Sequence, residues 1–495
     1  MPRVPLLLLA LASGLALAPP ARADEAAAPA PPPMALGEVL QVAIRQNPSL
    51  ELASIDVDLA NAAVMRASGI DDWVLSGDLT LQRFHTTANI GGMSAAASYD
   101  SLDVSGSISR SLSTGGSLSV SVSSSHDTTP FSVTSGQWTQ SLLASVTQPL
   151  LQGRGKRIAR AAVRRSRVDL DAATLSRRSQ AVSVLSDVIN AYYELAYAKR
   201  SLEIQQASLE LAVERLRITQ ASIKAGATAP SEATAVEQTI ASREQGVAQA
   251  ELAVTTRSLT LRRMVGLEIG PNNIDLATAA PLSATPDSLD LESLLDSAYA
   301  NSPEIAVLAK KAEGATIDVE IADDGVVTRL DAALRAGPTG VAEGFGGATL
   351  DMVKFSGYVV RGELTVEHTL GNRAARANAR SARSRVSQAK INIADAKLQV
   401  ASAMATAIAQ ANTAAKRIEL SRHEVELAEK NIAAEQSRFD LGRSTNFDIA
   451  QRQDELRQAQ LGFARANVDY LLAQISIDSI TGGLLEKYGV TLAAR

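Results

Sequence analysis

Residues 373–441 read RAARANARSARSRVSQAKINIADAKLQVASAMATAIAQANTAAKRIELSRHEVELAEKNIAAEQSRFDL, a run without glycine or proline, the two residues that break helices. A second run of this kind spans Lys156 to Ala225. At 1.5 Å rise per residue each stretch makes a rod of roughly 100 Å. A bilayer with its headgroups is only about 40–45 Å thick, and no globular core needs a rod so long, so the two arms project or bridge. Immediately beyond the arms stand Gly226 and Gly442, and they belong to a set. Gly226, Gly246 and Gly266 recur as Gly442, Gly462 and Gly482 at a constant offset of 216 residues. The chain is a tandem duplication of one long unit.

Each unit opens with the same device. Leu36 to Gln46 predicts a short helix, Asn47-Pro48 a break, and Ser49 to Ser68 a second helix; the counterparts are Leu291 to Ala300, Ser302-Pro303 and Glu304 to Ala322. Proline after a small polar residue restarts a helix at its first turn, where the missing N–H costs nothing. Residues 36–270 and 291–495 are thus expected to be two helix–strand–helix repeats joined by a linker at 271–290. Ahead of them, residues 1–23 pair Arg3 with an apolar run from Val4 to Ala18 and end in Ala21-Arg22-Ala23, which predicts a secretory signal peptide. The Ala/Pro-rich residues 24–35 predict a disordered leader.

Composition removes several classes of function. The 495 residues carry a formal charge of −5 and no cysteine, so neither disulfides nor a lipidated cysteine are expected, and a nucleic-acid partner is disfavoured. His85, His126, His368 and His423 are scattered, and the zinc-protease, serine-hydrolase and P-loop motifs are missing, so neither an enzyme nor a cofactor or metal site is expected. Beyond the N-terminal segment no stretch offers 18 uncharged apolar residues; even Ala181 to Ala198 is interrupted by Asp187, Asn190 and Glu194. A membrane role has to come from strands.

Strands are legible between the helices. Asp103 to Ser109 and Ser117 to Ser123 alternate apolar with small polar residues, and Ser113-Thr114-Gly115-Gly116 between them has hairpin chemistry. Further strands are expected near Trp73 to Phe84, Trp138 to Leu150, Val326 to Ala336 and Phe355 to Leu370. Alternation alone also suits a soluble sandwich. Trp73 and Trp138 at strand starts, with Phe84, Tyr99, Phe131, Phe345, Phe355 and Tyr358 nearby, look instead like an interfacial aromatic girdle. Each unit holds too few strands to close a barrel, so several protomers would share one.

The arms carry coiled-coil spacing. Leu185, Val188, Tyr192, Leu195, Leu202, Leu209, Val213, Leu216 and Ile223 fall on steps of three and four, with Lys199, Gln206 and Gln220 in skipped places. Alanine-rich stretches such as Ala401 to Ala415 allow close approach on a second face. Helices with two packing faces can tile a hollow cylinder.

In these features the chain resembles the TolC-like outer-membrane efflux protein family. The resemblance rests on Leu36-Gly37-Glu38-Val39-Leu40 through Asn47-Pro48, on Thr147 to Leu151, on Leu370 to Arg376, and on the turns Ala225 to Thr228 and Leu441 to Asp448. It implies a mixed α and β membrane protein in which long coiled-coil helices form an α-barrel and strands contribute to a shared trimeric transmembrane β-barrel. It further implies a homotrimer set among outer-membrane lipid, a periplasmic adaptor protein, and an inner-membrane pump or ABC transporter. The usual pattern gives two membrane strands per unit, twelve per trimer. Here Asp71 to Gln152 has room for four, and the sequence admits a Ser101 to Ser125 hairpin either inside the barrel or elaborating its outer face.

The same resemblance places the channel entrance at Asp448, with Gln451 where a second acid is often found, and the adaptor contacts at the turns containing Gly226, Ala227, Thr228, Gly442, Arg443 and Ser444. The residues by themselves also permit plainer roles. Gly226 and Gly442 would end helices, and Thr445 with Asp448 would cap one. The arginines that open both arms, Arg154 to Arg165 and Arg373 to Arg385, would be met by lipid phosphates or neighbouring carboxylates. Two other readings fit long helices plus strands: a trimeric coiled-coil adhesin, which would confine its strands to the C-terminus, and a periplasmic scaffold.

Overall fold

The computed structural model describes residues 34–90, 93–128, 136–226, 229–270, 274–276, 282–287 and 289–490. The expected signal peptide and Phe131 lie outside them. The first half contains α1 (Leu36–Gln46), α2 (Pro48–Ser68), β1 (Trp73–Ile90), β2 (Met93–Ser111), β3 (Ser117–Asp127), β4 (Gln137–Pro149), α3 (Lys156–Ala159), α4 (Ala161–Lys224) and α5 (Ser231–Val265). The second contains α6 (Leu291–Asn301), α7 (Pro303–Asp324), β5 (Arg329–Ala342), α8 (Phe345–Val353), β6 (Gly357–Glu367), α9 (Arg373–Asp440), α10 (Asn446–Ile480) and α11 (Leu484–Lys487). The protein is mostly helical, with one antiparallel sheet. The two arms are helices of 64 and 68 residues, α4 and α9, each folding back along a 35-residue partner.

Two apolar cores form where the short opening helices meet the hairpins, and the first also takes in Ile475 of α10 and Leu484 and Leu485 of α11. In the first, Val39, Leu40 and Ala43 of α1 pack on Leu185, Val188, Tyr192 and Leu195 of α4 and on Leu261 and Val265 of α5. In the second, Ala298 of α6 meets Met404, Ala407 and Ala411 of α9 and Ala466, Tyr470 and Ile477 of α10. The recurrent glycines serve this joint. Gly266 and Gly482 end α5 and α10 with φ of +85° and +72°, and a Cβ there would stand 2.3 Å from the Gln46 carbonyl oxygen and 2.8 Å from that of Asn301. Those carbonyls precede the two prolines, where Asn47 accepts from the Ser49 and Leu50 amides and Ser302 from that of Ile305. Asn47 also donates to the Met264 carbonyl at 2.5 Å, which ties the opening helices to the end of α5.

The six strands form a single meander in the order β1-β2-β3-β4-β5-β6. One row of partners, Leu75, Ile108, Val120, Ala144, Ala336 and Val360, crosses all of them, and the next row runs Val74, Ser109, Ser119, Ser145, Arg335 and Arg361. Period two thus sorts the sheet into an apolar face and a predominantly hydroxylic one. Much of the apolar face is bare within the protomer, with Leu75 82% exposed and Val360 67%; at the far end of β4 and β5, α8 lies on it over Gln140 and Gly340. On the opposite face serine hydroxyls bond across strands, Ser76 to Ser107 and Ser123 to Ser141, each at 2.7 Å.

Several expectations need correction. β1, β2 and β5 run longer than their alternation indicated, and α8 stands where no helix was expected. The coiled-coil register holds only near the core. Leu185 to Leu195 are buried, but farther along α4 the buried stripe is Ile204, Ser208, Ala212, Arg215 and Thr219, while Val213 is 50% exposed. Val213 and Leu211 belong to a flank of the helix that its own chain leaves largely uncovered, while Leu216 is half-buried between that flank and the buried stripe. The expected lapse at Lys199 has a local cause, since its ammonium donates to the Leu276 carbonyl in the linker at 2.6 Å.

A substitution pair separates the two flanks. Ala212→Asp, at a position 3% exposed, should lower the thermal stability of the helical hairpin itself, by about 2 kcal/mol or more for an unpaired buried charge. Val213→Asp should leave hairpin stability within about 0.5 kcal/mol. Equal losses in thermal unfolding followed by circular dichroism, with the chain held monomeric in detergent, would reject this register.

Candidate functional site

Two regions of the molecule are built for an environment other than bulk water. The first is the apolar face of the sheet, with a tryptophan near each end. Trp73 opens β1 beside the helices, and the Arg110 guanidinium lies 5.6 Å from its ring. Trp138 opens β4 at the far end, stacked on His126 at 4.8 Å and meeting Phe345 of α8 edge-on at 5.2 Å. Both rings belong to apolar rows. The Trp138 row passes through His126 and Leu102 to Leu81, eight positions beyond Trp73 along β1. Eight residues span roughly 27 Å of strand, close to the about 25 Å apolar band of outer-membrane barrels. Among the described residues no helix is long and apolar enough to cross a membrane.

Where the sheet passes into the arms, the crowded arginines are answered by neighbouring carboxylates, some of their own repeat and one of the other. Arg164 and Arg157 both bond Glu320 of α7, Arg164 at 2.6 Å, and Arg160 reaches Asp71 at 2.6 Å. Arg383 of α9 meets Asp323 at 2.8 Å. Burial alone would raise the Glu320 carboxyl, yet its bonds from Arg157 and Arg164 hold it below the usual range. Cations gathered at a helix N-terminus oppose the macrodipole; these pairs relieve that conflict, and those on Glu320 also join the repeats.

The second region is the far end of the helical hairpins, about 100 Å of helix away. Gly226 and Gly442 adopt φ of +75° and +70°, and a Cβ on either would meet open space. The glycines are there for conformation. The Gly442 amide donates to Phe439 at 2.8 Å and that of Arg443 to Arg438 at 2.9 Å, which closes α9 in a Schellman-type turn. Ala227 and Thr228 lie outside the described residues.

Next comes the start of α10. The Asp448 carboxylate accepts from the Thr445 amide at 3.0 Å and the Thr445 hydroxyl at 2.7 Å, with Ser444 at 3.4 Å, and the Asp448 amide returns a bond to the Thr445 hydroxyl at 3.3 Å. This is a reciprocal capping box. The Thr445 side-chain and backbone bonds, foremost among several, hold Asp448 below the usual carboxylate pKa. Gln451 stands exposed one turn on, turned toward Glu455 at 3.5 Å.

Beneath the tip lies a polar lock that residue spacing did not disclose. Asn446, 5% exposed, donates to Glu232 of α5 at 3.0 Å and accepts from Thr219 of α4 at 3.4 Å. Arg215 of α4 donates to Gln436 of α9 at 2.6 Å and stacks 4.7 Å from the Phe439 ring. Burial lowers its pKa, and Asp440 opposes that shift. Asp454 of α10 accepts from Arg243 of α5 at 2.7 Å and from its own helix's Arg457 at 2.6 Å. Nearer the sheet Arg465 bridges Glu194 at 2.8 Å and Asp469 at 2.7 Å, and Arg417 closes on Asp469 at 2.7 Å. Charge and amide pairs thus fasten the two hairpins between the tip and the apolar cluster that Ile475 of α10 shares with the first half. A polar residue at an inward position carries no signal in a periodicity count, which is why the lock was missed.

A bare apolar sheet with aromatic residues near both its ends, continued by paired rods and holding a polar seam, defines an outer-membrane channel with a helical extension. The chain belongs to the outer membrane efflux protein family, whose profile matches residues 39–267 and 294–483. It is an outer-membrane efflux duct with a periplasmic helical end, and members of the family conduct solutes without catalysing a reaction. No curated protein sequence matches it significantly. Among solved structures it is similar to the CmeC outer membrane channel of Campylobacter jejuni, with 14% identity over 90% of this chain and 85% of that one, TM-score 0.68. It is also similar to VceC of Vibrio cholerae, with 16% identity over 90% and 96% of the two chains and TM-score 0.65. The open state of the MtrE channel of Neisseria gonorrhoeae aligns at 15% identity over 91% and 89%, TM-score 0.64.

The cap makes a local prediction. Thr445→Ala should cost about 1 kcal/mol and speed amide exchange in the first turn of α10. Because Asp448 is held below its unfolded pKa, its contribution is complete above that unfolded value of about 3.9 and is lost as pH falls through the folded value. Protection factors in that turn, taken against the intrinsic exchange rate at each pH, should therefore fall on acidification in the wild type and be less pH-dependent in Asp448→Asn; identical profiles would refute the cap's ionic part.

Proposed function

We propose that three copies of this chain close a common β-barrel and a common α-barrel, forming a duct that an adaptor and an inner-membrane pump or ABC transporter feed from the periplasm. One observation carries the reading: the sheet ends on two unpaired edges, β1 and β6, whose apolar rows are continuous with those between them. β1 and β6 run in opposite directions, so β6 of one copy can pair with β1 of the next and keep an antiparallel wall throughout. The uncovered flank of α4 that includes Val213 then packs against the neighbouring copy, giving each helix the two faces that a cylinder needs. The adhesin and scaffold readings fare worse, because strands come from both halves of the chain and their outer face is hydrocarbon.

In this reading the chain enters the export pathway through residues 1–23, keeps 24–35 as a leader, and builds its two repeats from 36–270 and 291–495 around the linker 271–290. Trp73 and Trp138 sit at the two membrane interfaces. The turns at Gly226, Ala227 and Thr228 and at Gly442, Arg443 and Ser444 receive the adaptor's helical hairpin. Three Asp448 carboxylates, with Gln451 behind them, ring the periplasmic entrance, and opening repacks the pairs around Gly442 by breaking the Asn446 and Arg243–Asp454 contacts. Capping and ring are compatible roles for Asp448, since a capped carboxylate keeps its charge.

Two measurements test this. Mass determination in detergent should give three copies, and a folded monomer that still conducts would sink the shared barrel. In planar bilayers Asp448→Asn should reduce cation selectivity and weaken block by trivalent cations from the periplasmic side, through loss of three charges in a narrow constriction. Asp440→Asn, on α9 before the turn, should matter less. Equal selectivity and block in wild type and Asp448→Asn would reject the ring.

A further inference from the structure

The β2–β3 hairpin is an insertion into the pattern in which each repeat brings two strands. We infer that it is a working part of the membrane wall, so that the trimer closes eighteen strands instead of twelve, and the outer pore accepts hydrated solutes too bulky for the narrower wall. The inference rests on the trimeric barrel proposed above.

Hydrogen bonding supports it first. β1 follows the helices α1 and α2, and β4 leads into α4, so both must stand in the wall. In the sheet they are not neighbours. β1 pairs with β2 from Trp73 to Ile90, β2 with β3 from Ser101 to Asp127, and β3 with β4 from Ser117 to Thr147 at its near end, with no break in any ladder. Leaving the hairpin outside would break all three of these ladders and require β1 to pair anew with β4, whereas the observed ladders run continuously from β1 through β2 and β3 to β4.

The faces agree as well. Val120 and Val122 of β3 lie in the apolar rows, and Ser119 and Ser121 in the hydroxylic ones, in phase with both neighbours. A hairpin laid against the outer surface, or folded into the lumen as a plug, would have no reason to keep that phase.

The hairpin is also pinned at the right depth. Its turn docks on the junction between β4 and the arm: the Gly155 amide donates to the Thr114 carbonyl at 2.8 Å, the Thr114 hydroxyl to Gln148 at 2.7 Å, and the Gln148 amide back to Thr114 at 3.2 Å. Gly115 at the corner has φ +91°, and a Cβ there would stand 2.2 Å from the Gly153 carbonyl oxygen. The turn therefore sits level with the other strand–helix junctions.

Width follows from strand number. With strands about 4.8 Å apart and tilted about 40°, twelve strands close at a backbone radius of roughly 12 Å and eighteen at roughly 18 Å. The hydroxylic face points inward, and serine protrudes little, so the added radius is open and wettable.

The chain has no cysteine, so single-cysteine variants report one site each. In vesicles of phosphatidylcholine, Ser119→Cys and Ser121→Cys should react with a membrane-impermeant maleimide. Val120→Cys and Val122→Cys, labelled with a fluorophore in detergent before reconstitution, should lose fluorescence to acyl-chain spin-labelled lipid. Val359→Cys and Val360→Cys on β6 are the reference pair for the wall at large. If β6 alternates and β3 does not, the hairpin claim falls alone; if β6 also fails, the shared barrel falls with it. The pore claim is read from polyethylene glycol of about 12 Å hydrodynamic radius added on the external side. It should partition and lower the open-channel current in an eighteen-stranded wall, and be excluded by a twelve-stranded one. Exclusion with correct β3 labelling overturns the wider pore.

Discussion

Inside hydrocarbon an unpaired backbone N–H or C=O has no water to bond, and each one left over costs several kcal/mol. That constraint shapes this protein more than any single contact. It permits only helices or closed sheets to cross, and among the described residues no helix qualifies, so the crossing falls to strands. A sheet of six strands leaves two edges, β1 and β6, and the proposed trimer is an answer to the demand to pair them. The arms follow from the same demand at one remove. In that proposal they reach from the strands of a ring and tile a ring themselves, each with a second face for the next copy.

The duplication supplies that geometry economically. Each repeat brings one short helix, one proline-started helix, a strand group and a long hairpin, and each has a separate core around Tyr192 or Tyr470. The halves share hydrocarbon at the first core, through Ile475, Leu484 and Leu485, and away from it they are pinned by ion pairs: Arg157 and Arg164 on Glu320 at the sheet junction, Arg465 on Glu194 midway, and Arg243 on Asp454 toward the tip. Apolar seams resist sliding apart because separation exposes hydrocarbon. Polar seams in water exchange partners at modest net cost. A duct that opens at one end benefits from rigid cores near the membrane and exchangeable pairs toward the entrance, and the order of contacts along the arms follows that gradient.

The two turns at the tip are not equivalent despite their common ancestry. In the first, α5 starts at Ser231 behind Pro230 without a side-chain cap, whereas α10 starts with the full Thr445–Asp448 box. Asn446 then reaches from the second hairpin into the first, bonding Glu232 and Thr219. The second hairpin is the better ordered lever and the first is the surface it locks against. An asymmetry of this kind gives a pseudo-symmetric ring one class of helix pair that can yield before the other.

The reach of the sequence ended where packing began. The glycine spacing and the two unbroken arms already dictated a duplicated protein of long helical hairpins, because helix breaking is a property of single residues. Alternation in Ser117 to Ser123 disclosed strands and their two faces, since period two survives without partners. The cap at Thr445 was equally local. Only the tertiary structure decided that α4 turns Ala212 and Arg215 inward and leaves Val213 out, because a helix with two packing faces satisfies more than one register. Only it paired β2 and β3 into one sheet with β1 and β4, set Gly266 and Gly482 against the carbonyls of Gln46 and Asn301, and brought Asn446 to Glu232. Those facts join residues up to hundreds of positions apart, and their energies exist only when the chain has brought them into contact.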